Sequence, residues 1–138
     1  MKTPLSKLLD QIENNNLDVN AALITKPESV AYYSGYTGGN AILFIHFLVR
    51  YIIIVGDSSV EPREGQYRDF KVVKMNDYKI MEFLSRLCSK LGIHRIWFEE
   101  EHLENYNSIE NSLRNVQLIP ARGIISQIPM TAFGLGEL

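Results

Sequence analysis

The sequence predicts a three-layer α/β/α domain built on a mixed six-stranded sheet. Three observations carry this. Short apolar runs alternate with segments whose apolar residues recur at helical spacing, the pattern of a sheet covered by helices. Three of the runs follow one another with no helix between them, so the sheet is mixed rather than wholly parallel. The chain has 138 residues, 46% of them hydrophobic, which suits one domain with a core of its own.

Each element has a local reason. Thr3 is placed to cap a first helix, with Pro4 at the position where its missing N–H costs nothing. Leu5, Leu8, Leu9 and Ile12 then mark one buried face, and the Asn14-Asn15-Asn16 run ends it. Ala21 to Ile24 is a fully apolar strand. Thr25-Lys26-Pro27-Glu28 has the spacing of a capping box, with Thr25 as N-cap. The helix it opens runs through Tyr33, and Gly35 is placed as its left-handed terminator. Strands follow at Ala41 to Ile45 and Tyr51 to Val55. The connection between them, His46 to Arg50, is too apolar for a tidy hairpin turn.

Gly56 to Gln66 is polar and holds Pro62 and Gly65, so it reads as irregular. Phe70 to Met75 is the fourth strand. Asn76 or Asp77 caps a helix from Tyr78 to Leu91, with Ile80, Leu84, Leu87, Cys88 and Leu91 inward and Gly92 as its stop. Arg95 to Phe98 is the fifth strand. Glu99 opens a further helix to about Leu113, with acidic residues where the helix dipole favours them. Gln117 to Ile119 is the sixth strand, closed by Pro120. The last stretch, 126–138, has little periodicity and reads as an irregular tail after a domain over 1–125.

Composition excludes several functions. Fourteen Lys+Arg against 16 Asp+Glu leave a net charge of −2, so there is no positive field for nucleic acid. The longest apolar stretch, Ala41 to Val55, is broken by His46 and Arg50 and is shorter than the about 20 residues a membrane span needs. The single cysteine, Cys88, forms no internal disulfide, and the N-terminus lacks an apolar signal core. A cytoplasmic protein is therefore expected.

Candidate chemistry is sparse. No two of His46, His94 and His102 lie at a ligand spacing. Glu99-Glu100-Glu101-His102 reads as a solvated helix start, because successive helical residues point to different faces. No metal site and no catalytic residue are assigned. Cys88 sits on an apolar stripe, where a thiol has little thiolate character, and no Gly-x-Ser-x-Gly elbow occurs. The glycine-rich loop after Gly35 leads from a helix into a strand, the reverse of a phosphate loop. Tyr32, Tyr33 and Tyr36 cluster around that loop. Either they pack beneath a tight turn, or they form an exposed aromatic and polar surface for a cleft or a partner.

The run Leu23-Ile24-Thr25-Lys26-Pro27-Glu28-Ser29-Val30-Ala31-Tyr32-Tyr33-Ser34-Gly35-Tyr36-Thr37-Gly38-Gly39-Asn40 resembles the creatinase/prolidase N-terminal domain. Members of that family carry a strand, a Pro-Glu-Asn-type helix and a Tyr-Leu-Thr-Gly-Phe-Thr-Gly-Ser-Asn-like loop. Phe70-Lys71-Val72-Val73, Leu91-Gly92-Ile93-His94-Arg95-Ile96-Trp97-Phe98-Glu99 and Gln117-Leu118-Ile119-Pro120-Ala121 continue the likeness in order and spacing. The resemblance implies a ribonuclease H-like sheet motif. It also implies a non-catalytic role in a Xaa-Pro dipeptidase or aminopeptidase, ahead of a "pita-bread" catalytic domain absent from this chain. There two divalent metals (Mn, Co or Zn) activate water for cleavage before proline, so this chain is expected to carry no cofactor and to be inactive alone.

The implied partners are the chain's own catalytic domain and a second subunit in a homodimer, with proline-containing peptides bound only by the full-length protein. The implied cleft or interface residues are Tyr36, Thr37, Gly38, Asn40 and Asp57. Asp57 is what remains of a Thr-Asp-Gly-Arg-Tyr pattern, here Val55-Gly56-Asp57-Ser58-Ser59-Val60. The alternatives are a free-standing binding or assembly module and a nuclease-like carboxylate site at Asp57, Asp69 and Glu99.

Overall fold

A computed structural model describes residues 3–15, 18–38, 40–56, 67, 69–98 and 116–120. The elements run α1 (Pro4–Asn14), β1 (Ala21–Ile24), α2 (Pro27–Ser34), β2 (Ala41–His46), β3 (Arg50–Val55), β4 (Lys71–Met75), α3 (Asp77–Leu91), β5 (Arg95–Phe98) and β6 (Gln117–Pro120). The six strands form one sheet in the order β4-β3-β2-β1-β5-β6. β1, β2 and β3 pair antiparallel as a meander, while β3–β4, β1–β5 and β5–β6 pair parallel. The mixed sheet expected from the sequence is therefore present. The helix expected over Glu99 to Leu113 and the tail lie outside the described residues.

Strand alternation sends neighbouring side chains to opposite faces and so builds two cores. On one face Leu5, Leu8 and Ile12 of α1 and Val30 and Tyr33 of α2 pack on Ala22, Ile24, Leu43, Ile45, Ile52, Ile54 and Trp97. On the other, Ile80, Leu84 and Cys88 of α3 pack on Ala21, Leu23, Phe44, Ile53, Ile96 and Phe98. Each fully buried Leu or Ile contributes roughly 1.5–3 kcal/mol. Covered on both faces, β1 is apolar throughout, as such strands must be.

The first helix starts as its sequence dictates: Thr3 Oγ1 accepts the Ser6 N–H at 3.1 Å, and Pro4 occupies the first turn. It ends on Asn15, whose side-chain amide donates to the Ile12 and Val19 carbonyls and whose Oδ1 accepts the Val19 N–H at 3.0 Å. Asp18 turns the chain through a left-handed conformation at φ 58°, one that Asp tolerates better than most residues.

Two local expectations are corrected. The N-cap of α2 is Lys26, not Thr25, and it makes no side-chain cap bond. The residue before a proline is driven out of the helical region, so the boundary falls at Lys26, which is extended at ψ 125°. The connection between β2 and β3 is also a tight hairpin, despite its apolar residues. His46 N donates to Val49 O at 2.9 Å, His46 Nδ1 accepts the Leu48 N–H at 3.1 Å, and Arg50 Nη2 donates to Phe47 O at 3.0 Å. The flanking polar side chains satisfy the turn, which frees Phe47 and Leu48 to project.

Candidate functional site

The loop after α2 is shaped at both ends. Gly35 closes the helix at φ 83°, its N–H donating to Ala31 O at 2.8 Å. An L side chain is strained in that conformation. Ser34 Oγ donates to Val30 O at 2.6 Å and accepts the Tyr36 N–H at 3.1 Å, which fixes where Tyr36 leaves the helix. At the far end Asn40 O accepts the Val55 N–H at 3.0 Å, tying the loop to β3.

Between these anchors Tyr36 turns inward. Its ring is 3% exposed, joins the α1/α2 core and meets Tyr67 edge to face at 6.0 Å. Tyr33 is also buried and Tyr32 half-buried. Of the two readings of these tyrosines, the structure shows the first: the rings pack beneath the loop, because the apolar area of a tyrosine ring gains more by burial than its one hydroxyl loses. Tyr36 Oη is itself buried without a hydrogen-bond partner.

Thr37, Gly38 and Asn40 are exposed and form a polar strap, of which Gly38 lies against that ring. Of the implied cleft or interface residues, these three are exposed and Tyr36 is buried. Asp57 falls outside the described residues.

Among the described residues no group of three or more His, Cys, Asp or Glu could hold a metal ion. Asp69 is exposed, and Asp57 and Glu99 lie outside the described residues. Burial pushes the Cys88 thiol up from 9.0 to about 11, which makes it a core residue rather than a nucleophile. Among the described residues no helix is long and apolar enough to cross a membrane.

The sequence reading missed a groove of about 220 Å³ between the end of α1 and the β2–β3 hairpin, lined by Ile12, Glu13, Val19, Asn20, His46 and Phe47. Its walls come from segments some 30 residues apart, and no local pattern marks it. His46 is held below its ordinary value of 6.5, first by burial and then by the charge of Arg50.

The sequence pattern of the creatinase/prolidase N-terminal domain matches residues 4–130. Among solved structures, the chain superposes on the X-Pro aminopeptidase of Thermotoga maritima with a TM-score of 0.76 at 25% identity, covering 91% of this chain and 35% of that one. A Xaa-Pro aminopeptidase structure from Streptococcus pyogenes gives 0.77 at 18% identity, covering 91% and 94% of the two chains. The N-terminal domain of the cytoplasmic peptidase PepQ from Mycobacterium tuberculosis gives 0.73 at 20% identity, covering 91% and 97%. The last two likenesses speak to the fold. Among curated protein sequences none matches significantly. With the strap, the two-faced sheet and the match over nearly its whole length in agreement, this chain belongs to the creatinase/prolidase N-terminal domain family.

Proposed function

We propose that the chain is the non-catalytic N-terminal domain of a Xaa-Pro dipeptidase- or aminopeptidase-like metallopeptidase of the cytoplasm. There it contributes to dimer assembly and shapes the active-site entrance. The observation that carries this is the family match over residues 4–130, in a chain that spans 35% of the Thermotoga enzyme. On this reading the metals and the water they activate belong to the catalytic domain. The exposed strap of Thr37, Gly38 and Asn40 faces the cleft or a second subunit.

The purified chain, assayed with Mn²⁺ and a Xaa-Pro dipeptide, is expected to give no turnover above a buffer control. Metal-dependent turnover overturns the non-catalytic reading. Sedimentation at high protein concentration is expected to show self-association, and a monomer throughout counts against the assembly role.

A further inference from the structure

The β2–β3 hairpin carries two large exposed apolar side chains, Phe47 at 52% and Leu48 at 72% exposure. One of the bonds that hold its tip depends on a histidine being in one protonation state. His46 Nδ1 accepts the Leu48 N–H at 3.1 Å, which requires the neutral ring with its proton on Nε2. A protonated imidazole has two donors and no acceptor, so the bond is lost when a proton enters at Nδ1.

Among the described residues, two charged groups face the ring or share its groove. Arg50 on β3 stands at the base of the same turn and disfavours a second positive charge. Glu13 on α1 lines the groove that His46 also lines. Arg50 also clasps the Phe47 carbonyl and the His46 N–H donates to Val49 O, so the turn keeps these two ties when the bond to the ring is broken.

We propose that His46 is a proton-operated latch on this hairpin: the neutral ring fixes the tip through the Leu48 amide, and protonation releases it and changes how Phe47 and Leu48 are presented. The device sits outside the strap and does not depend on the function proposed above.

Backbone amide and histidine-ring NMR of the chain between pH 8 and 5 tests it. The Leu48 amide is expected to titrate with the same midpoint as the His46 ring, below 6.5, while the Phe44 and Ile53 amides stay fixed. Leu48 protection from exchange, corrected for intrinsic rate, is expected to fall about threefold to tenfold, the equivalent of one modest hydrogen bond. His46→Asn, which keeps an acceptor and does not titrate, is expected to hold the Leu48 resonance constant with pH. His46→Leu is expected to place it near the acid limit throughout, and Arg50→Gln to raise the midpoint. A Leu48 amide that stays still while His46 titrates overturns the latch. So does movement of the Phe44 and Ile53 amides at the same midpoint, which would mean unfolding of the sheet.

Discussion

A Cβ placed on Gly38 would stand 2.7 Å from the phenolic oxygen of Tyr36 and 2.9 Å from its Cζ. The Gly38 backbone lies directly on the ring, and Tyr36 is only 3% exposed.

Gly38→Ala is therefore expected to destabilise the chain by about 1–3 kcal/mol, the usual range for overpacking. Chemical denaturation measures this. Combined with Tyr36→Phe the loss shrinks without vanishing, since Cζ remains in the way.

Tyr36→Phe alone acts in the other direction. The hydroxyl is buried with no partner, and such a group costs on the order of 1 kcal/mol. The variant is expected to unfold at a higher temperature than the parent. A fall in melting temperature would show that Oη has a partner in solution. The family-like pattern carries Phe at this place in the loop, consistent with a ring wanted for its shape.

Cys88 is expected to resist thiol reagents at pH 8 while the chain is folded and to react quickly once denatured. Its thiol is pushed up to about 11, so the folded state disfavours the thiolate. The sign follows: a group raised on folding leaves stability intact below its ordinary value of 9.0 and erodes it as pH climbs towards 11. Denaturation midpoints at pH 8 and pH 10.5, compared between the parent and Cys88→Ala, isolate that contribution.

Thr3→Ala removes the acceptor for the Ser6 N–H and is expected to cost about 1 kcal/mol. Thermal unfolding reads the loss, and Thr3→Ser is expected to restore most of it.

What the sequence made legible is what local rules decide. Thr3 and Pro4 announce α1, and the unbroken apolar run Ala21 to Ile24 announces a strand covered on both faces. What it hid depends on partners far along the chain. Tyr36 is amphipathic, and its burial follows from Tyr67 and the α1/α2 core, which no local pattern names. The hairpin at Phe47 and Leu48 lacks turn residues because His46 and Arg50 supply the missing bonds from their side chains. Thr25 looked like a cap by spacing, and the steric demand of Pro27 on Lys26 moved the boundary. The sequence offered a buried or an exposed setting for Tyr36 without deciding between them, and the contact with Tyr67 and the core decides it.

Among the described residues β4 is the outer strand of the sheet on one side, with Lys71 and Lys74 exposed. A second copy laid alongside it would set its own ammonium groups against these, and the mutual repulsion discourages ribbon-to-ribbon growth. Two charged side chains along this margin thus work against its fusing with a copy of itself into a continuous double-width sheet or seeding fibrils there.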